Sequence, residues 1–432
     1  MKAKEIVLLI FIVIAGILFH HVYTGELNVY FDFEDNIVIF TDEYVYEEFQ
    51  ELEPPFPSLL QITNSHGNIE IQGTDEEKIS ISFQKKIWRK NEENAKEVSN
   101  ELKMIIHKDA GKLTVKTNRD EFKRRNFKTS FRISLPKGMN VDVVNSYGTV
   151  NVSKVGKTDI RNRHGKIIAS NIGRELFIKN SYRDVEIEDI QSDCQLESKH
   201  STMFVNRVDG NVEITLPYGK IHVENINQDV QIKGYHSEIY GENLKGTVNV
   251  ENSYRKISLF NVGPTKITGH HSFVEVEGAR GYLDVKDNYN KVKVINIKGD
   301  LTINGKSLGI YGKTIIGEKI NISSSYRDVE LSEFSGKTTI TLSHGDIVLE
   351  PLPLTHPIEV NGAYAGIKFY WPLKGRYPIE AKVKNGDISW KLPVELNSQE
   401  DNHFSTIKAF IEEKENPAIF LSTSYRTILI EE

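Results

Sequence analysis

The sequence has very little cysteine and proline. Its 432 residues include one cysteine, 13 prolines and 30 glycines. A single cysteine cannot form an internal disulfide, so the fold does not depend on oxidation. Cys194 falls where a strand is expected and is predicted to be a small core residue. The low proline and glycine content excludes a collagen-like repeat and argues against disorder.

The chain also lacks a block of charge of one sign. Its 54 Lys and Arg and 60 Asp and Glu are mixed throughout and give a net charge of -6. Nucleic-acid-binding proteins carry a basic patch or stripe, so no nucleic acid partner is predicted.

Motifs that carry chemistry are absent from the sequence as well. It contains no Gly-x-Ser-x-Gly elbow, Walker loop, His-Glu-x-x-His or paired Cys-x-x-Cys motif. We therefore predict no catalytic residue, no cofactor and no enzymatic activity.

The one long hydrophobic run lies in residues 1–25. Lys2 and Lys4 precede an apolar stretch from Ile6 to Phe19, which is typical of a signal-anchor or a signal sequence. No small-x-small cleavage site follows. We expect the chain to contact a membrane through this segment, with its bulk outside the cytoplasm, in the periplasm or at the cell surface. Cleavage of the segment followed by secretion is the alternative.

Tyrosine and histidine alternate along the chain at a fixed interval. The series is Tyr147, His164, Tyr182, His200, Tyr218, His236, Tyr254, His271 and Tyr289; it skips one beat at Ser307 and resumes at Tyr326 and His344. Successive members of the first series lie about 18 residues apart. A repeat this short predicts a solenoid, in which each turn buries its apolar face by stacking on its neighbours. Within one turn the alternation places these residues inward: Val212, Ile214, Ile221, Val223 and Ile226.

Five regions are predicted. They are the membrane anchor or signal segment (1–25), lead-in strands with a proline-rich linker (26–58), an N-terminal capping region (59–140), the regular array (141–350) and an irregular C-terminal cap (351–432). The capping region contains the one predicted helix, from Asn91 to His107, with an apolar stripe at Ala95, Val98, Leu102, Ile105 and Ile106. The fold class is therefore an all-β solenoid with parallel strands, preceded by the membrane segment and one short helix.

One stretch resembles a known family. The segment ISLPKGMNVDVVNSYGTVNVSKV (Ile133–Val155), followed by corners of the form Ser-x-Gly-x-Val/Ile, is similar to the bacterial "putative adhesin" family of envelope proteins of unknown function. The similarity spans roughly residues 60–350. It implies an N-terminal membrane segment, a right-handed parallel β-helix and adhesion. This chain departs from the family in placing Tyr or His where a small residue usually precedes the glycine.

Two coil lengths are compatible with the tyrosine–histidine spacing. In a coil of about 18 residues the two residue types share one corner and alternate along it. In a coil of about 36 residues they occupy opposite edges, so neighbouring histidines would lie about 4.8 Å apart and could share a metal or respond to pH. The candidate metal ligands are then His164, His200, His236, His271 and His344. Packing of the rings against one another is the simpler interpretation.

The predicted function follows from the fold rather than from a site. We expect a non-enzymatic solenoid that acts as an adhesin or a structural envelope scaffold and binds an envelope protein or a polysaccharide. One alternative is an accessory protein of an envelope-stress or membrane signalling system. A carbohydrate-active β-helix enzyme is the third, although short corners leave no loops to build a cleft.

Overall fold

The computed structural model describes residues 28–432 except 33–35, 41, 110, 124–125, 373–374, 394–396, 402 and 411–417. The predicted membrane segment, residues 1–25, lies outside the described residues. Among the residues that are described, no helix is both long enough and apolar enough to cross a membrane. The chain divides into two compact units, a first unit that ends at Gly173 and a second that begins at Arg174.

The first unit consists mainly of short strands. Its elements are β1 (Asn28–Asp32), β2 (Asn36–Phe40), β3 (Asp42–Leu52), β4 (Leu59–Thr63), β5 (Ile69–Thr74), β6 (Ile79–Arg89), α1 (Glu92–Glu101), β7 (Met104–Lys108), β8 (Lys112–Thr117), a 3-10 turn (Arg119–Glu121), β9 (Phe127–Pro136), β10 (Asn140–Val144), β11 (Val150–Ser153), β12 (Thr158–Arg161) and β13 (Ile167–Ile172).

Two parallel stacks of strands organise the first unit. One runs β8, β4, β10, β12 and the other β9, β5, β11, β13. Strands β4 and β5 form one turn of the solenoid. This turn lies between the turn formed by β8 and β9 and the turn formed by β10 and β11, although both of those turns follow it in the chain. Antiparallel pairing of β3 with β6, and of β6 with β9, extends the second stack on its outer side.

The helix is shorter than predicted. It begins as expected at Asn91, whose side chain accepts a hydrogen bond from the Asn94 amide and caps the first turn. It ends at Glu101, because Leu102 is already extended. The prediction of a helix through His107 is wrong for its last turn: Met104–Lys108 forms β7, antiparallel to β8.

The second unit repeats one two-stranded turn. Its strands are β14 (Leu176–Lys179), β15 (Val185–Ile190), β16 (Cys194–Glu197), β17 (Ser201–Val208), β18 (Val212–Thr215), β19 (Tyr218–Ile226), β20 (Val230–Leu244), β21 (Val248–Ser253), β22 (Ile257–Val262), β23 (Thr265–His270), β24 (Val274–Glu277), β25 (Leu283–Lys286), β26 (Lys291–Lys298), β27 (Leu301–Asn304), β28 (Gly309–Ser324), β29 (Val329–Pro351), β30 (Ile358–Tyr370), β31 (Ile379–Lys384), β32 (Ile388–Trp390), β33 (Asn397–Asp401), β34 (Phe404–Ala409), β35 (Ile419–Ser424) and β36 (Ile428–Glu431).

The register of the parallel strands shows that one coil contains about 18 residues rather than about 36. Cys194 lies beside Val212, Val212 beside Val230, and Val230 beside Val248, all in parallel pairing. The all-β solenoid predicted from the spacing is confirmed, and the longer coil is wrong.

The last turns of the second unit do not follow chain order. Strand β30 pairs with β35 at its start and with β36 at its end. Strands β31 and β32, which come earlier in the chain, pair with the other sides of β35 and β36. The C-terminal turn is therefore inserted between two turns that precede it in sequence.

Alternation along each strand builds the core. The predicted inward residues of one turn are at most 1% exposed: Val212, Ile214, Ile221, Val223 and Ile226. Each such side chain contributes about 1.5–3 kcal/mol when it is fully buried. Cys194 belongs to this core, and burial raises the pKa of its thiol to about 12, so it is not a reactive thiolate.

Candidate functional site

The alternating tyrosines and histidines stack directly on one another at one corner of the solenoid. In the first unit the stack is His66, Tyr147 and His164, with ring centroids 4.6 and 4.7 Å apart. In the second unit it runs through Tyr182, His200, Tyr218, His236, Tyr254, His271 and Tyr289, and again through Tyr326, His344, Tyr364 and Tyr425. We call this corner of the second unit, with the residues flanking the rings, the Tyr/His corner.

The rings are nearly parallel and offset. Along the second unit their centroids lie 4.7 Å (Tyr326–His344) to 5.7 Å (Tyr182–His200) apart. Such offset stacks contribute about 0.5–1.5 kcal/mol per pair beyond the area they bury. Ser307 fills the skipped position and separates the two runs of rings. Of the two arrangements that the spacing allowed, the structure has the one in which the residues share one corner and alternate along it.

This alternation separates the five candidate metal ligands from one another. His200, His236 and His271 each lie between two tyrosine rings, and His344 lies between Tyr326 and Tyr364. Successive histidines of a run are therefore two strand spacings apart, about 9.6 Å. Metal–imidazole bonds are about 2 Å long, so two of these histidines cannot share an ion. Within the described ranges, no group of three or more His, Cys, Asp or Glu could hold a metal. Binding of a metal by single histidines of the row stays a prediction.

The backbone at this corner takes the left-handed conformation. In most turns where a glycine follows the ring, the glycine has a positive φ, as at Gly148 (φ 121°) and Gly345 (φ 122°). In most turns without that glycine, the residue that carries the ring is itself in the left-handed conformation, as are Tyr254 (φ 64°), Tyr289 (φ 68°) and Tyr326 (φ 65°). This conformation costs a residue with a Cβ about 1–2 kcal/mol relative to the right-handed one, and Gly and Asn tolerate it best. These tyrosines therefore occupy positions where the backbone disfavours them.

The tyrosine rings are also exposed at their outer rims. Tyr326 is 66% exposed and Tyr254 is 55% exposed. Exposed cations outnumber exposed carboxylates in the residues flanking the rings, although the chain as a whole is acidic. The cations are Arg183, Lys199, Lys220, Arg255, Lys256, Lys291, Lys306, Arg327 and Arg426, and the carboxylates are Asp184, Glu238, Asp328 and Asp346.

Two of those carboxylates are engaged by backbone amides of the next turn. Asp184 accepts a hydrogen bond from the amide of Thr202 (3.1 Å), and Asp328 accepts one from the amide of Asp346 (2.9 Å). Among the cations, Lys220 forms an ion pair with Glu238 (3.8 Å) and Lys256 forms one with Glu275 (2.8 Å). The residues flanking the rings still carry more positive than negative charge.

A buried polar position lies two residues before the ring in several turns. It is Asn252 in one turn and Asp287 two turns later; Asp287 is 1% exposed. Its carboxylate accepts hydrogen bonds from the amides of Asn288 (2.6 Å) and Ser272 (3.1 Å). Burial nevertheless raises the pKa of Asp287 to about 6, and the hydrogen bonds and nearby His270 offset only part of that rise.

A second aromatic row was not predicted. Phe204, His222 and Tyr240 lie side by side in consecutive turns, with centroids 5.7 and 4.5 Å apart. The Tyr240 hydroxyl donates to Glu242, and this bond raises the pKa of Tyr240 to about 12. The three residues follow the same spacing as the Tyr/His series, so that spacing could have revealed them.

An asparagine ladder at the next corner was missed as well. Asn225, Asn243 and Asn261 all adopt the left-handed conformation, with φ of 57°, 55° and 51°. Asn261 Nδ2 donates to Asn243 Oδ1 (2.6 Å), and Asn243 Nδ2 donates to Asn225 Oδ1 (3.2 Å). We call this the asparagine corner; each of its asparagines lies one residue before the end of its strand.

Comparison with known proteins agrees with the architecture. The family profile described as Toastrack DUF4097 matches residues 197–417. No curated protein matches the chain. The chain is similar to the crystal structure of a "putative cell adhesion protein" from Clostridium sporogenes, at 11% identity over 90% of this chain and 99% of that one, with a TM-score of 0.18.

A second similar structure is that of a "putative adhesin" from Bacteroides fragilis, at 10% identity over 89% of this chain and 96% of that one, with a TM-score of 0.16. Identities and TM-scores this low carry no argument about function. The family profile does show which family the chain belongs to, because the match spans just over half of the chain. The chain belongs to the Toastrack DUF4097 family.

Proposed function

We propose that the chain is a non-enzymatic scaffold of the cell envelope, held at a membrane by residues 1–25, whose Tyr/His corner binds an anionic polysaccharide. The observation that carries this proposal is the row of exposed tyrosines on backbone that disfavours them. Strain of this kind persists where a side chain is needed for more than folding.

Stability alone gives a weak reason for the tyrosines. An exposed ring in the left-handed conformation costs about 1–2 kcal/mol, and the two stacks that it makes return about 1–3 kcal/mol. Asparagine would occupy the same backbone with little strain, as it does at the asparagine corner. The rings therefore add little net stability but present two rows of hydroxyl and imidazole groups, separated at Ser307.

Charge and regularity indicate the ligand. The cations beside the rings, Arg255 and Arg327 among them, favour an acidic partner. Tyrosine and histidine groups that alternate at the strand spacing suit a linear polymer, whose units also repeat along its length. An acidic polysaccharide has both properties.

The experiment compares the native chain with a variant that keeps the backbone and removes the rings. Tyr182, Tyr254, Tyr289 and Tyr326 are changed together to Asn in the full chain in detergent, and binding to immobilised polygalacturonate is measured by interferometry. We expect at least tenfold weaker binding, with unfolding by urea changed by no more than about 1 kcal/mol per site. Binding by the native chain should also weaken as salt is raised.

Controls separate the corner from general surface effects. Tyr282 is 46% exposed and lies away from the rings, so Tyr282→Asn should leave binding unchanged. Neutral dextran should not bind, and polygalacturonate should gain no new chain ends on incubation. Native binding by the four-site variant, equal binding of dextran or cleavage of the polymer would each contradict the proposal.

A further inference from the structure

The asparagine corner is interrupted in one turn. Gly278 occupies the position that follows Asn261 in the ladder, since Phe260 pairs with Glu277 in the two parallel strands. The left-handed conformation is kept there (φ 77°) and continues at Asn296 (φ 56°). The backbone of the ladder is therefore continuous, and only one side chain is missing.

A cavity of about 320 Å³ lies at this gap in the ladder. We call it the glycine notch; its walls are Asn261, Gly278, Ala279, Arg280, Asn296, Lys298, Thr314 and Ile316. A Cβ built on Gly278 would have no neighbour closer than 3.5 Å, so the glycine is not required by crowding. The notch is thus open to an added group.

The two amides that face the gap have unused hydrogen-bonding capacity. Each asparagine of the ladder donates to the one before it, as Asn261 does to Asn243. Among the described residues, Asn261 Oδ1 accepts no hydrogen bond and the side chain of Asn296 makes none. The notch therefore offers an amide donor on one wall and an amide acceptor on the other.

Two cations complete the site. Arg280 and Lys298 lie side by side in parallel register and are both exposed. Neither makes an ion pair with a residue in the described part of the chain, and no carboxylate lines the notch. The remaining wall is apolar, because Ile316, which lies beside Lys298 in the next strand, is 45% exposed.

We propose that the glycine notch binds one acidic sugar residue. Its carboxylate would lie between Arg280 and Lys298 and accept a hydrogen bond from Asn296 Nδ2. A sugar hydroxyl would donate to Asn261 Oδ1, and the C–H face would rest on Ile316. A neutral sugar lacks the charge and inorganic phosphate lacks the apolar face, so neither satisfies all the walls.

This site does not depend on the Tyr/His corner, and the two are tested separately. Binding of glucuronate, glucose and inorganic phosphate to the full chain in detergent is measured by calorimetry. Glucuronate should bind saturably, and glucose and phosphate at least tenfold more weakly, since hydrogen bonds to charged groups discriminate by about that factor or more.

The most informative variant fills the notch with a side chain of the protein itself. Gly278→Asn restores the missing rung on a backbone that asparagine tolerates, and we expect it to fold and to lose glucuronate binding at least tenfold. Arg280→Gln with Lys298→Gln should lose it to a similar extent. The control is Lys154→Asn, which changes an exposed left-handed lysine (φ 57°) of the first unit and should bind normally.

The outcomes are distinct. Glucuronate binding that is lost in both notch variants, and kept when the four tyrosines are changed to Asn, supports the site. Unaltered binding by Gly278→Asn, equal binding of glucose, or tighter binding of phosphate than of glucuronate overturns it. Polymer binding at the Tyr/His corner should persist in Gly278→Asn, so failure of one proposal is distinguishable from failure of the other.

Discussion

The Tyr/His corner and the asparagine corner of the second unit share a left-handed backbone conformation but carry different side chains. Both place a left-handed residue in almost every turn, and both repeat at the spacing of one turn. At one corner the side chains are aromatic rings that stack, as Tyr254 does on His271 (5.1 Å). At the other they are amides that hydrogen-bond along the axis, as Asn261 does to Asn243 (2.6 Å).

The difference shows which corner is optimised for folding. Asparagine tolerates the left-handed conformation, and its amide links consecutive turns without exposing apolar surface. Tyrosine has neither advantage, yet it recurs at the other corner with its rim exposed to solvent. Conformational preference therefore accounts for the asparagine corner, whereas the Tyr/His corner requires a further reason, which we propose is ligand binding.

The largest effect is expected from replacing a glycine that follows a stacked ring in the first unit. Gly148 follows Tyr147 with φ 121°, and a Cβ there would lie 2.2 Å from the carbonyl oxygen of Gly67. Gly148→Ala combines strain with a backbone clash, so we expect the free energy of unfolding to fall by about 3 kcal/mol or more, measured by urea denaturation.

The matched control separates strain from the clash. Gly138 also has a positive φ (77°), but a Cβ there would meet nothing within 4 Å. Gly138→Ala should therefore cost only about 1–2 kcal/mol. Equal losses in the two variants would mean that the close stacking of turns at Gly148 has no energetic consequence.

The buried carboxylate behind the Tyr/His corner gives the next largest effect. Because the pKa of Asp287 is raised from 3.8 to about 6, the folded state binds an extra proton between these values. The free energy of unfolding should then fall as pH rises from about 4 to about 6, by up to about 3 kcal/mol, and level off above that.

Asp287→Asn should remove this slope in urea unfolding curves recorded between pH 4 and pH 7. The reciprocal change is Asn252→Asp at the equivalent buried position, which should introduce a slope of the same sign. An unchanged profile in Asp287→Asn would show that the pH dependence arises elsewhere.

The smallest effect concerns a single rung of the asparagine ladder. Asn243→Ala removes a donor to Asn225 and an acceptor for Asn261. It also places alanine, which has a Cβ but no polar side chain, in the left-handed conformation (φ 55°). We expect a loss of about 2 kcal/mol by urea denaturation. Asn243→Gly keeps the backbone preference and should lose about half as much. A larger loss in Gly than in Ala would contradict the role given to the left-handed conformation.

The ring spacing is enough to predict the solenoid. A constant period in Tyr and His, together with alternating Val and Ile, specifies turns of one length, and turns of one length must stack in register. The spacing leaves the coil length open, because one period can be a whole coil or half of one. Only the pairing of Cys194 with Val212 decides between the two.

Helical periodicity fails where a neighbouring strand competes for the same residues. Ile105 and Ile106 continue the apolar stripe of α1, and on helical periodicity alone they extend it. In the structure they pair with Lys116 and Val115 of β8 in a hairpin, and this pairing ends the helix early. The apolar pattern alone does not distinguish the hairpin from a longer helix.

The asparagine ladder was missed for another reason. Asparagine is common in turns, so Asn225, Asn243 and Asn261 look like ordinary corner residues until their spacing is compared. The glycine notch was even less visible, since Gly278 is conspicuous only once its neighbours are known to form a ladder.

The inserted C-terminal turn determines when the second unit can be finished. Strands β31 and β32 contact the stack through β35 and β36, which are synthesised after them. A chain growing from its N-terminus can stack each turn up to β30 as it emerges, because every turn rests on one already made. Strand β31 can pair earlier with β34, but residues 379–390 join the stack only after residues 419–431 have been synthesised. These turns therefore assemble later than the turns before them.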